Sequence, residues 1–330
     1  MIFAPYYAWA SELSINYNER TLITGWRTAT GLVATASAQA IPTIALIYFG
    51  FGGTPAVVTM MGVMMLLLLP ITIGLTMIYV PDPNKVPPSR VFIRQGLRLM
   101  MRNGPFKRLL AAFFFTHIGV AISATLFIFY VRSVLGAESA GIEILFVNYV
   151  ANLAGIPFWI WVSKKIGKHR AWCAAMVLFV CANPFYFLLD VGDVFWMIPI
   201  VAVTGFSLGA SATLSNSMKA DVIDLDTLMS GENRAGLFFA TWSMVLKLAL
   251  AVGPAIVLWI LAGAGLEAAP GLIEVPDQRQ FLQWLFILSS PLCNGIAALM
   301  VWRYPITEAR HQRLRMALER RNARRLARSE

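Results

Sequence analysis

The sequence predicts an all-α, polytopic membrane protein, and three observations predict it. Of 330 residues, 58% are hydrophobic and only 13% charged, against about 45–50% and about 25% in soluble globular domains. Apolar runs of about 20 residues, the length at which a helix crosses a bilayer, recur along the chain. The basic residues fall almost entirely on one side of those runs.

The elements follow in order. Met1 to Ala10 is apolar, but ten residues of helix reach only about 15 Å. It reads as the exit half of a helix whose beginning precedes Met1. With no basic n-region and no small-residue cleavage site, it is not a signal peptide. Membrane helices are expected near residues 24–50, 55–80, 109–131, 142–163, 171–189, 194–217, 235–263 and 280–302. Between the second and third of these lies a central loop, 81–108. Pro81, Pro83, Pro87 and Pro88 keep its first part from being helical throughout. Arg90 to Arg102 mixes apolar residues with four arginines, the pattern of a short helix lying on the membrane surface. Residues 109–303 then form a six-helix bundle, and 304–330 a basic tail read as an amphipathic helix against anionic lipid. Six helices on one side of a basic loop imply a matching set on the other, of which residues 1–80 are a part.

Charge fixes the expected topology. The chain carries 27 Lys and Arg for a net charge of +10. Loops 11–21, 81–108, 163–170 and 218–234 and the tail from Arg303 together hold 23 of these cations; the alternating loops hold only Arg132 and Arg279. Positive residues mark the cytoplasmic side. The net charge is therefore a topology signal and not a nucleic-acid footprint. The expected location is the cell inner (plasma) membrane, multi-pass, with a cytoplasmic C-terminus.

Polar residues inside the spans carry the functional signal. Lys247 sits near the middle of the run Ala235 to Gly263, which holds no other charge. A cation there costs about 2.5–3.5 kcal/mol on the mildest insertion scale. The cost is met when the side chain faces a polar cavity; snorkelling to the interface works only near a helix end. Arg27 lies one turn inside its span and admits both readings. His117 follows Phe113, Phe114, Phe115 and Thr116; Asn148 and Asn152 are four apart and share a helical face. For these three, interhelical hydrogen-bonding glue and a cavity-lining role both stand. Proline recurs within spans at 42, 70, 157, 184, 254 and 291, and Gly205 and Gly209 place small residues four apart. Bent, closely packed helices suit a bundle that moves.

The expected cytoplasmic ends add a charge pattern. Glu12, Glu19 and Arg20 follow the first helical fragment. Asp221 and Asp224 follow the helix expected at 194–217, with Arg234 across the loop. Opposite charges on two halves at one membrane depth could pair and close a cavity. Exposed pairs are worth only about 0–1 kcal/mol each, weak enough for a gate that reopens. Solvated loop charge is the competing reading.

These residues resemble a known family. Pro5-Tyr6-Tyr7-Ala8-Trp9-Ala10-Ser11-Glu12-Leu13, then Tyr17-Asn18-Glu19-Arg20-Thr21 and Arg27, are similar to the stretch after the fourth helix of the glycoside–pentoside–hexuronide:cation symporters. Ala220-Asp221-Val222-Ile223-Asp224, Gly231, Arg234, Gly236 and Lys247 resemble their tenth-to-eleventh helix segment. The resemblance covers essentially the whole chain, as helices four (partial) to twelve. It implies the major facilitator superfamily fold, here with an incomplete N-terminal bundle and a complete six-helix C-terminal bundle. It implies that Arg27, Lys247 and Tyr7 face a central cavity, and that Arg20, Asp221, Asp224 and Arg234 form the cytoplasmic gate. Two departures stand out. Sugar carriers place an acid two positions before the matching proline, where this chain has Phe3. The ion-site carboxylates lie mainly on the second helix, ahead of the matched segment.

The expected function is secondary active transport: Na⁺- or H⁺-coupled symport of a sugar or glycoside by alternating access. Carriage of a lipid-like or other amphiphilic solute is the alternative, and Phe3 leans that way. A truncated, non-transporting remnant is the third reading. An enzyme is not expected. His117, His169 and His311 are scattered over separate regions, and the three cysteines, all in apolar runs, give no metal spacing. No cofactor beyond a coupling ion is expected. The expected partners are a small-molecule substrate and the bilayer, in a monomer.

Overall fold

The structure, a computed structural model, describes residues 53–80, 100–137, 141–230, 234–265 and 276–305, with eight helical positions between 30 and 41. The chain divides into two compact units, Met1–Pro88 and Ser89–Glu330. Among the described residues the regular structure is entirely helical. Seven helices are long and apolar enough to cross a membrane.

In the first unit, α1 (Gly53–Tyr79) carries no charge at all. Pro70 lies within it, and the hydroxyls of Thr72 and Thr76 donate back to carbonyls a turn earlier. The span is apolar all round, as a helix in lipid must be.

The second unit holds six of the seven spans. α2 (Gly104–Ser133) starts where Asn103 accepts a hydrogen bond from the Phe106 amide at 3.2 Å, with Pro105 in its first turn. α3 (Gly141–Ile166) and α4 (Lys168–Ala182) are joined by the single residue Gly167, whose φ of +89° only glycine adopts readily. α4 gives way to a 3-10 turn, Asn183–Leu188, at Pro184. The uninterrupted span expected over 171–189 is therefore split, because Pro184 has no amide hydrogen to continue the ladder. α5 (Val194–Ser230), α6 (Ala235–Gly263) and α7 (Pro276–Trp302) complete the bundle.

α5 is longer than its apolar pattern indicates. It continues three turns past the expected end at 217, so Lys219, Asp221 and Asp224 are helical and not in a loop. Lys164, Lys165 and Lys168 likewise lie on helix ends and not in an open loop.

Two buried clusters fill the unit. One is built on Phe106, Trp172, Met218, Phe238 and Trp242. The other is built on Leu126, Tyr130, Met197, Phe286 and Ile287. In the second, the Tyr130 hydroxyl donates to the Tyr186 carbonyl at 2.9 Å, so its one polar atom is satisfied. Arg279, one of the two cations at this end, donates to the Val134 carbonyl at 2.8 Å, closing the end of α2.

Close approach depends on glycine along α3 and α5. A Cβ on Gly205 would come within 2.5 Å of the Asn148 carbonyl oxygen, and one on Gly209 within 2.6 Å of the Asn152 carbonyl oxygen. Gly155 meets the Phe206 carbonyl in the same way. The Trp159 indole donates to that carbonyl at 2.9 Å.

Candidate functional site

The last turns of α5 carry Lys219, Asp221, Asp224 and Asp226. Because Gly167 reverses the chain within one residue, α4 runs back beside α5 and its first residue meets α5 near its end. Lys168 Nζ donates to both oxygens of Asp221, at 2.8 and 2.9 Å. The Asp221 side chain is only 10% exposed and that of Lys168 28%. Partly shielded, bidentate contacts of this kind are stronger than surface pairs. Lys168 ties α4 to α5 at the position expected to serve as a gate.

Tyr304, two residues past α7, is buried beside this pair. Burial first, and the Asp221 carboxylate second, push its phenol above the ordinary tyrosine range, so it stays neutral. Its hydroxyl finds no hydrogen-bond partner among the described residues.

Lys219, by contrast with the half-buried Lys168, is a buried cation, 4% exposed. Its Nζ donates to Asn216 Oδ1 at 3.0 Å and lies 4.4 Å and 4.8 Å from the ring centroids of Phe239 and Trp242 on α6. A desolvated cation over aromatic faces gains about 2 kcal/mol. The aromatic wall continues inward: Trp242 packs on Phe113 at 4.0 Å, and Phe113 on His117 at 3.9 Å. The sequence reading counts Lys219 as a loop cation; the structure makes it the joint between α5 and α6. No spacing rule links it to Phe239 and Trp242, twenty and more residues away.

The other expected residues are placed as follows. Lys247 is exposed, near the middle of α6. The buried stripe of that helix, Phe238, Trp242, Ala249, Gly253 and Val257, runs along the other side. The amine therefore points away from the core of its own bundle. His117 is half-buried, and its Nδ1 sits 2.9 Å from the Phe113 carbonyl of its own helix. The Asn148 amide donates to the Val201 carbonyl on α5 at 3.4 Å, an interhelical contact. Asn152 Oδ1 is buried with no partner among the described residues. Arg234 is buried at the start of α6, and Asp224 is half-buried. Tyr7, Glu12, Arg20 and Arg27 lie outside the described residues, as does Glu19. The structure thus gathers Asp221, Asp224 and Arg234 at one end of the bundle and adds Lys168, Lys219 and Tyr304 to them.

Comparison with known proteins gives this arrangement a context. Residues 1–308 match the family described as MFS/sugar transport protein. The sodium-dependent lysophosphatidylcholine symporter 1-A of Danio rerio is 28% identical over 229 residues, covering 68% of this chain and 42% of that protein. The Homo sapiens sodium-dependent lysophosphatidylcholine symporter 1 is 26% identical over 231 residues, covering 68% and 41%. The inner membrane symporter YicJ of Escherichia coli (strain K12) is 24% identical over 313 residues, covering 91% and 65%. The chain spans less than two thirds of the length of each of these relatives. With an all-helical bundle of six spans and a family match over nearly its whole length, the chain belongs to the MFS/sugar transport family of the major facilitator superfamily.

Proposed function

We propose that the chain acts in cation-coupled symport of an amphiphilic solute of the lysophospholipid type. The observation that carries the transport reading is Lys247, a lysine in the middle of a 29-residue apolar helix, directed away from its own bundle. A cation so placed requires a polar surrounding, and a substrate chamber supplies one. The amphiphile reading is supported by the relatives named as lysophosphatidylcholine symporters and by Phe3 where sugar carriers have an acid. Sodium or protons moving down their gradient would drive uptake. Each binding event need only favour one arrangement of the carrier by its differential affinity.

Sugar symport is the second reading, and the description of the matching family favours it. The clamp at Lys168, Asp221 and Tyr304 would set the end of α5 in either case, with Arg20 and Arg234 as the proposed opposing charges. The cytoplasm would be the side of this clamp and of the C-terminus.

The test is uptake by proteoliposomes holding the chain, under an inward Na⁺ or H⁺ gradient, with radiolabelled lysophosphatidylcholine and melibiose supplied in parallel. Lysophospholipid uptake that collapses with the gradient, and that Lys247→Ala abolishes while insertion stays normal, is the expected result. Uptake of melibiose alone moves the assignment to sugars. Undiminished uptake by Lys247→Ala removes Lys247 from the mechanism, and no uptake of either solute overturns the carrier reading for this polypeptide.

A further inference from the structure

We infer that the outer face of α7 is a binding site for an anionic glycerophospholipid, with its headgroup at Lys107, Arg108 and Arg303 and an acyl chain along α7. The site needs only a membrane-embedded bundle, not the transport reading, so the two stand or fall separately.

An apolar groove of 1220 Å³ runs along α7 from Phe281 to Trp302, with walls that include Val177 of α4 and Ile260 of α6. Twenty-one residues of helix cover about 32 Å, close to the hydrocarbon thickness of a bilayer. At the Trp302 end this groove runs into a second one of 820 Å³ lined by Gly104, Lys107, Arg108 and Arg303. Leu299 and Trp302 line both. One continuous surface is therefore apolar along the span and cationic at its end. A lipid with a negative headgroup has that polarity and that length.

The cationic end is a built corner. Arg108 Nη1 donates to the Arg303 backbone carbonyl at 3.4 Å, which brings the first turn of α2 against the end of α7. Lys107, Arg108 and Arg303 all remain exposed. The α2 amino terminus beside them adds partial positive charge. Basic pockets between membrane helices are where anionic headgroups bind, and a tryptophan at the hydrocarbon boundary marks the headgroup level.

The apolar part has a notch where an acyl chain would lie. Leu292 and Leu299 stand out from α7 at 66% and 80% exposure, and Gly295 lies between them. A Cβ built on Gly295 meets nothing within 4 Å. From Leu292 to Trp302 is about 15 Å of helix, the depth of one leaflet. Another outward groove, of 670 Å³ between the 3-10 turn and α5, serves as a contrast. Asp193 lies in its lining and no cation does, so charge complementarity singles out the α7 face.

The experiment is native mass spectrometry of the whole chain in detergent, titrated with dioleoyl phosphatidylglycerol or with dioleoyl phosphatidylcholine. The expected result is preferential retention of phosphatidylglycerol, falling about fivefold per cation removed in Lys107→Gln and Lys107→Gln/Arg108→Gln. The tail arginines are left unchanged, so the difference between variants isolates this corner. Gly295→Phe fills the notch without a clash and is expected to lower retention of both lipids. An unchanged melting temperature for Gly295→Phe, and for Arg303→Gln as a cation variant that keeps its backbone carbonyl, separates lost binding from lost folding. Equal retention of the two lipids by the parent chain, or unaltered phosphatidylglycerol retention in the double variant, overturns the site. So does displacement of the lipid by inorganic phosphate with no effect of Gly295→Phe, which would mark an anion site alone.

Discussion

Lys168, Lys219 and Lys247 are three lysines on apolar helices, and the fold gives each a different surrounding. Lys168 faces a carboxylate, Lys219 two aromatic rings and an amide oxygen, and Lys247 neither. A carboxylate at 2.8 Å in a largely shielded place gives Lys168 a strong, directional partner. Asp221→Asn removes the charge and should cost about 2 kcal/mol, read as a lower melting temperature in detergent. A double-mutant cycle with Lys168→Met should return a coupling of about 0.5–3 kcal/mol. Additive effects would show that the two side chains do not stabilise one another. Lys219 lies over the rings of Phe239 and Trp242, contacts that hold α5 to α6, and Trp242 belongs to the same buried cluster as Trp172 and Met218.

Helix against helix, the decisive contacts are backbone to backbone. α3 and α5 approach so closely at Gly155, Gly205 and Gly209 that a single methyl group on any of them would meet a main-chain oxygen or carbon. With lipid outside, close packing and interhelical hydrogen bonds replace the hydrophobic drive that joins helices in water. Gly205→Ala is expected to part the helices and to cost about 1–3 kcal/mol. Gly295→Ala, facing open space on α7, should be neutral or stabilising by up to about 1 kcal/mol, because alanine is the better helix former. Thermal melting of the two variants side by side checks this, and equal destabilisation would refute it. The 3-10 turn at Asn183–Leu188 belongs to the same scale: Pro184 ends α4, and Gly192, with φ of +93°, lets the chain turn into α5.

For the whole molecule, the sorted cations predict an orientation. Twenty-three lysines and arginines fall on one set of connections and two on the other. A fluorescent-protein fusion at Glu330 should therefore glow, and an alkaline phosphatase fusion there should be inactive, because only the former works in the cytoplasm. The opposite pair of results would invert the topology. Six spans in the Ser89–Glu330 unit also give odd-numbered and even-numbered helix starts opposite ends, which places Lys107, Lys168, Asp221 and Arg303 at one end and Arg132 and Arg279 at the other.

Most of this architecture was legible in the chain. Spans show because a bilayer demands about 20 apolar residues in a row, and the six expected after residue 108 match the six observed to within a few residues except at three places. α2 begins five residues early at its Asn103 cap, α4 breaks at Pro184, and α5 runs on to Ser230. The last of these was hidden because charged residues end an apolar pattern without ending a helix. Gly205 and Gly209 were legible as a close-packing pair, since only small residues four apart allow it.

Sequence by itself determined the class, the number and order of spans in the second unit, and the lysine stranded in mid-helix. All three follow from how single residues partition between water and hydrocarbon, which needs no knowledge of neighbours. Tertiary structure alone decided that Lys168 belongs to Asp221, that Lys219 lies buried under Phe239 and Trp242, that Asn148 holds α5, and that cations from α2 and α7 converge beside an apolar groove. Those pairings join residues 20 to 195 positions apart, and only the packing of helices brings such residues within reach of one another.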